Sequence, residues 1–259
     1  MADPVAAALR RVTRVTLFML SAALAALCLR LAWDYPLAAA VGLAGLVAGL
    51  SVRWLSRRRA SAMLRSGDVR LVLTRWATSL QRVPHAETMA PLMTATALAA
   101  YGWVDRARAV LQTARRGPVW DAALEHRLFL DTLLLTFEGE VGAALDRAKA
   151  LEALPLPSAA PWLTRRIRTL RRAVGALARA FAHLGQKGDR KLLLRAGSAS
   201  PLVYWAMRYG AAILAIDAGD LRHARQLLGA APPWPEESCF SLFHREIAQE
   251  LERQSTVMA

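Results

Sequence analysis

Cysteine is scarce in this chain: Cys28 and Cys239 are the two in 259 residues. A pair so far apart cannot define a disulfide framework. Lysine is nearly missing. Lys149, Lys187 and Lys191 are the lysines, and the rest of the 34 basic residues are arginine. That skew, with abundant alanine, points to a GC-rich bacterial genome as much as to selected chemistry. The net charge of +14 is therefore not read as a nucleic-acid signature, and no recognised nucleic-acid motif accompanies it. The histidines, His85, His126, His183, His223 and His244, share no metal-ligand spacing. His244-Arg245-Glu246 lacks the second histidine of a zinc-protease motif. There is no phosphate-binding loop, no dinucleotide fingerprint and no nucleophile elbow. Glu236 and Glu237 beside Cys239 disfavour a thiolate there. The expectation is a chain with no catalytic residues, no cofactor and no metal.

Apolar residues are present in quantity, at 55% of the chain, which excludes a disordered polymer. Val15–Leu29 and Leu37–Val52 carry no charge, and Asp34-Tyr35-Pro36 makes a turn between them. A bilayer-spanning helix needs about 20 residues. Segments 12–33 and 37–55 reach that length if Arg30 and Arg53 snorkel to the interfaces. The expectation is a transmembrane hairpin over residues 1–55, serving as a membrane anchor. Arg10, Arg11 and Arg14 precede it, and Arg53, Arg57, Arg58, Arg59 and Arg65 follow. The positive-inside bias then predicts a two-pass protein of a bacterial inner membrane with both termini cytoplasmic. A cleaved signal peptide is the alternative for the first run, but a second apolar run follows at once. Gly42, Gly45 and Gly49 give a small-residue spacing that lets helices pack closely. They suit packing within the hairpin, a homo-oligomer or a membrane partner.

Beyond the hairpin the chain repeats. Gly67, Gly102, Gly139, Gly185 and Gly219 anchor one pattern. Seven residues before each stands Ala60, Ala95, Thr132, Ala178 or Ala212. Five after each stands Val72, Ala107, Ala144, Arg190 or Ala224. A proline closes each copy: Pro84, Pro118, Pro157 (and Pro155), Pro201, Pro235. The physics is that of a helix hairpin. Glycine ends one helix where φ is positive, an acidic residue (Asp68, Glu140, Asp220) caps the next, and proline stops it. Gly188-Asp189 is a rival turn for the fourth copy. Thr88–Val104 is uncharged and could be a third membrane span, although it falls in the repeat register.

The copies at 101–118, 138–155 and 218–235 resemble the tetratricopeptide repeat, a two-helix unit of 34 residues. The resemblance covers residues 53–235. It implies an all-α fold: the transmembrane hairpin, then a tetratricopeptide-like α-solenoid of antiparallel helix pairs over 56–235. Residues 236–259 are the capping helix and tail, with Phe240, Leu242, Phe243, Ile247 and Leu251 on its apolar side. The resemblance also implies peptide binding on a concave face, where Arg127, Arg168, Arg172, Tyr204 and Arg208 are candidates. Most of the aromatics at repeat boundaries read as packing between hairpins.

The third interval is longer than the rest. Leu163, Ile167, Leu170, Val174, Leu177, Phe181 and Leu184 form one apolar stripe on a long helix. Arg165, Arg166, Arg168, Arg171 and Arg172 decorate it, as a solvated face, as a contact for anionic lipid, or as a contact for an acidic protein or nucleic acid. Nucleic acid is the least expected of these. The function expected from the sequence is a non-enzymatic, membrane-anchored scaffold that recruits or organises a protein partner. The alternatives are an integral subunit of a larger membrane complex in transport, secretion or envelope machinery, and an enzyme.

Overall fold

The structure is a computed structural model that describes residues 33–257 together with Thr16, Met19 and Arg30. The described residues form helices and no strand, so the chain is all-α as expected. Contacts divide it into two units, Met1–Arg59 and Ala60–Ala259.

The first unit holds most of helix α1, Pro36–Arg65. Pro36 opens it, where a fixed φ suits a first helical position. Leu37, Leu46, Leu50 and Trp54 are exposed, and Arg58 lies 5.1 Å over the Trp54 ring. Among the described residues no helix is long and apolar enough to cross a membrane. The uncharged part of α1 runs from Pro36 to Val52 and then meets Arg53, Arg57, Arg58 and Arg59. That is about 25 Å of rise against about 30 Å of hydrocarbon. The two-pass inner-membrane localisation is therefore corrected. The expected first span, 12–33, and the signal-peptide alternative fall outside the described residues, apart from the positions named above. A Cβ at Gly42, Gly45 or Gly49 would meet nothing within 4 Å among the described residues.

The second unit begins with the last turns of α1. It continues through α2 (Val69–Gln81), α3 (Ala86–Ala100), α4 (Val104–Gln112), α5 (Pro118–Ala122), α6 (Leu124–Phe137) and α7 (Val141–Ala153). There follow α8 (Pro161–Phe181), α9 (Asp189–Ala199), a 3-10 turn (Pro201–Val203), α10 (Tyr204–Asp217), α11 (Leu221–Leu228) and α12 (Cys239–Val257). The glycine pattern is a backbone device. In the α3–α4 turn, Trp103 N–H donates to Leu98 O and Gly102 N–H to Ala99 O. The same two bonds recur with Glu140 and Leu135, Gly139 and Thr136, and again with Asp220 and Ala215, Gly219 and Ile216. Gly102, Gly139 and Gly219 sit at φ +76, +80 and +73, the left-handed position of a Schellman motif.

The fourth copy departs from the expected turn at Gly185. Its motif is intact, with Leu184 N–H on Arg179 O and His183 N–H on Ala180 O. The left-handed residue, however, is His183 at φ 56. The next helix starts only at Asp189, behind Gly188 at φ 98. The rival turn is thus used for the second helix and His183 closes the first. Seven residues before His183 lies Ala176, and five after Gly188 lies Leu193, both fully buried. Arg190, which broke the small-residue pattern, instead pairs with Asp220 at 2.9 Å.

The capping expectations hold in two cases. Asp68 accepts from Arg70 and Leu71 N–H, and Asp220 accepts from His223 N–H. Glu140 stands at its N-cap without a side-chain bond. The third-span reading of Thr88–Val104 is also corrected. Leu92, Ala95 and Leu98 of α3 are buried in the protein core. Pro91 inside α3 leaves the Glu87 carbonyl without its helical donor, and Arg115 N–H takes it at 3.1 Å. Thr88 Oγ1 donates back to Arg115 O at 2.8 Å.

The first helices pack in series, α3 on α6, α6 on α8 and α8 on α10, and α3 also meets the 3-10 turn before α10. The row therefore comes round on itself. Trp205 Nε1 donates to Arg65 O at 2.8 Å and Tyr101 Oη to Leu64 O at 2.7 Å. These are last-turn carbonyls of α1, which have no helical donor of their own. The C-terminal segment completes the closure. Ser238 Oγ donates to Tyr101 O at 2.7 Å, and Cys239 N–H donates to Gly102 O at 2.9 Å. Helix α12 starts at Cys239 rather than at Glu236. Its Phe240 is fully buried, stacked 4.9 Å from Tyr209 and edge-on to Phe137 at 5.3 Å. Phe243 meets Phe181 at 5.1 Å. The helix expected to cover only the last repeat thus packs against α6, α8 and α10. Leu242, expected on its apolar side, is exposed.

Candidate partner-binding groove

The row of first helices leaves an apolar cavity of about 310 Å³. Met93 and Thr96 come to it from α3, Phe129 from α6, and Ile167, Leu170 and Arg171 from α8. Leu202 closes one side from the 3-10 turn, and Trp76 of α2 contributes an aromatic wall. Thr96 hides its hydroxyl on Leu92 O at 2.7 Å, as helical threonines do, and so presents its methyl group. Two further cavities among the described residues are larger than this one. One, of about 430 Å³, is lined by His183, Asp217, Glu246, Glu250 and Arg253 with Phe181 and Phe243. The other, of about 420 Å³, lies beside Gly67, Trp103 and Pro232. The first of these lies between α8 and α10 but is closed over by α12, whereas the smaller cavity is shared by three first helices, α3, α6 and α8, and is the more apolar; it is the site candidate.

Arg171 builds the floor. Its side chain is 5% exposed. Its Nε donates to Glu125 Oε1 at 2.9 Å, its Nη2 reaches Glu125 Oε2 at 2.9 Å, and its Nη1 donates to Leu154 O at 2.6 Å. The Pro155 carbonyl accepts longer bonds from both Nη atoms. Leu154 and Pro155 follow α7, so one guanidinium ties the end of α7 and the start of α6 to α8. This bidentate pattern needs arginine, because lysine has no planar fork. Arg171 is therefore withdrawn from the face expected to meet lipid.

The other sequence candidates separate into two groups. Arg127 lies 4.7 Å over Trp120 and donates to Trp120 O at 3.2 Å. Arg208 donates to Leu227 O at 2.7 Å and Gln226 O at 3.2 Å, closing the end of α11. Tyr204 receives a further bond from Arg208 and stacks beneath Arg65. Arg166 caps α9 through Ala199 O at 2.8 Å. These residues are engaged within the protein. Arg165, Arg168 and Arg172 are exposed.

Away from the cavity, charge is set by burial and pairing. Asp189 lies in partly buried surroundings that would raise its pKa. Bonds from Arg179 at 2.9 and 2.8 Å and from Gln186 N–H outweigh them and hold its carboxyl below its ordinary value. Asp131 goes the other way: burial raises its pKa, and Arg147, Arg108 and Arg127 offset only part of that. Burial is also what pushes the Cys239 thiol up to about 12, with Asp105 adding to it. Glu236 and Glu237, expected to disfavour the thiolate, are not among the causes. Among the described residues no group of three or more His, Cys, Asp or Glu side chains could hold a metal.

Sequence reasoning missed Arg171 as an organiser. The signal was there: Arg171 stands four residues after Ile167 and three before Val174, on the apolar side of α8. The left-handed His183 and the bond from Ser238 to Tyr101 carried no local signal. No protein-family model matches the chain, no curated protein matches it, and no solved structure matches it.

Proposed function

We propose that this protein is a non-enzymatic scaffold of the tetratricopeptide-like, α-solenoid kind that holds a segment of a protein partner against its row of first helices. The supporting observation is the apolar cavity of about 310 Å³ made jointly by α3, α6 and α8. Apolar groups left open between rigid helices are what partner side chains bury. The helix hairpins with recurring Schellman turns support the repeat reading. Arg127, Tyr204 and Arg208, being engaged internally, serve the scaffold. Arg165, Arg168 and Arg172 remain the polar candidates for contact.

A photoreactive residue in place of Met93 or Ile167, in the full chain within its native cells, tests this reading. It should capture one defined protein. The same residue in place of exposed Lys149, on α7 away from the cavity, should not. Equal capture from Lys149, or no capture from the cavity, would overturn the proposal.

A further inference from the structure

The loop between α7 and α8 and the outer face of α8 form a surface that the cavity does not use. From Ala153 to Gly188 the chain has no acidic residue, and from Ala153 to Thr164 it has no charge at all. Pro155, Pro157, Ser158, Ala159, Ala160 and Pro161 are exposed. Trp162, which follows them, is 68% exposed, whereas most aromatics at repeat boundaries read as packing between hairpins. The loop is held at both ends. Arg171 Nη1 donates to Leu154 O at 2.6 Å, and Thr164 Oγ1 donates to Ala159 O at 3.3 Å. Three prolines fix φ along it, so it presents its apolar tip in one shape. Arg165, Arg168 and Arg172 come next and are exposed. At about 100° per residue they fall within about 60° of one another, opposite the stripe of Ile167, Leu170, Val174 and Leu177. Arg165 and Arg168 make no guanidinium hydrogen bond or ion pair with another described residue. Arg172 is exposed too, although its charge also acts on Asp189.

We propose that this surface docks on an anionic lipid bilayer, as a peripheral contact on the face of α8 turned away from the cavity. Trp162 and the proline–alanine tip enter the headgroup layer, and Arg165 and Arg168 meet lipid phosphates beside them. Two features together select this occupant. A row of arginines alone would suit any polyanion. An uncharged, exposed tip ending in tryptophan, one turn before that row, suits a boundary where an apolar phase lies directly under anionic groups. Each arginine near such a surface adds to the attraction, and none of it is offset by an acid in this stretch of chain. The prolines reduce the ordering that docking would cost.

An environment-sensitive fluorescent residue in place of Ala159, in the full chain, reads this loop alone, whatever else of the chain reaches a vesicle. Vesicles of phosphatidylcholine mixed with phosphatidylglycerol should shift its emission to the blue, less so as salt rises. Vesicles of phosphatidylcholine alone should need about tenfold more lipid or more for the same shift. The same reporter at exposed Lys149 should not respond. R165Q/R168Q, whose substitutions are exposed and leave the urea midpoint unchanged, should weaken the response at 159 about tenfold or more. Trp162→Ser should weaken it about tenfold with the arginines intact. R165K/R168K should keep most of it, because a bilayer reads charge rather than the planar fork that carboxylates favour. A reporter at 159 that stays unmoved by phosphatidylglycerol overturns the proposal, as does a response that survives both R165Q/R168Q and W162S. Duplex DNA or polyglutamate binding through Arg165 and Arg168, with vesicles leaving the reporter unmoved, would assign the row to a different polyanion and sink the lipid contact.

Discussion

Arg171 and Glu125 face each other across α8 and α6 as a bidentate pair, with both N–O distances at 2.9 Å. The arginine is buried, and the carboxylate is 39% exposed at the cavity edge. Removing the arginine leaves the carboxylate without its partner and strips the Leu154 carbonyl of its donor. Arg171→Met should cost about 3 kcal/mol, read as a lower urea midpoint. Arg171→Lys should fail to recover most of it, because an ammonium cannot serve both groups. R171M combined with Glu125→Leu should regain part of the loss. A midpoint unchanged by R171M would show that the pair does not organise the groove.

Gly102 and Gly139 have almost the same φ, +76 and +80, but different neighbours. A Cβ on Gly102 would meet Ser238 Oγ at 2.8 Å and Cys239 Sγ at 2.9 Å, whereas one on Gly139 meets nothing within 4 Å. Gly139→Ala should cost about 1 kcal/mol, the conformational penalty alone. Gly102→Ala should cost clearly more, because the C-terminal segment must also shift. Denaturation of the two variants side by side checks the order.

His183 occupies a left-handed position and bonds Asp217 through Nδ1 at 2.9 Å. His183→Gly should be close to neutral, since relief of the backbone offsets the lost contact. His183→Ala keeps the strain and loses the contact, and should cost about 1 kcal/mol. Thermal unfolding of both variants distinguishes the two effects.

Asp131 and Asp189 predict opposite responses to pH. The carboxyl of Asp189 is held below its ordinary pKa in the fold. Its stabilisation is present above the unfolded-state value, near 3.9, and is lost as pH falls from there through the lower folded value. The carboxyl of Asp131 is raised by burial, so the folded state binds its proton more readily and ionisation opposes folding. Asp131→Asn should therefore raise Tm at pH 7 and bring no gain below about pH 3. Asp189→Asn should lower Tm at pH 7 and flatten the acid limb. Melting curves across that range test both signs.

The periodic features of this fold were legible in the sequence. The glycine register located the turns of the second, third and fifth hairpins because a Schellman turn needs a left-handed residue, and glycine supplies it without strain. Pro118 and Pro201, expected as helix stops, lie beyond the ends of α4 and α9 and open the next helical segment instead. The fourth hairpin was misplaced because His183 fills the glycine position, and a tertiary partner, Asp217, holds it there. Of the groove, the sequence showed the apolar stripe of α8 and its arginines. It could not sort those arginines, since Glu125, Leu154, Ala199 and Asp189 are brought to them only by the fold. The span expected at 37–55 failed on length, as Arg53 interrupts the apolar run before a bilayer is crossed.

The bond from Ser238 to the carbonyl of Tyr101, 137 positions earlier, bears on how the second unit comes apart. A stack of repeats that touches only its neighbours frays from its ends, and hairpins can be added or dropped with graded effect. Here the last segment is fastened to the second hairpin and Trp205 to the end of α1, so no hairpin of this unit is terminal. Deleting one would strand Phe240 and unseat α12, and lengthening the array by duplication would open the same seam. The unit should therefore exchange its amide protons and unfold as one cooperative block, with a groove whose width is fixed by closure.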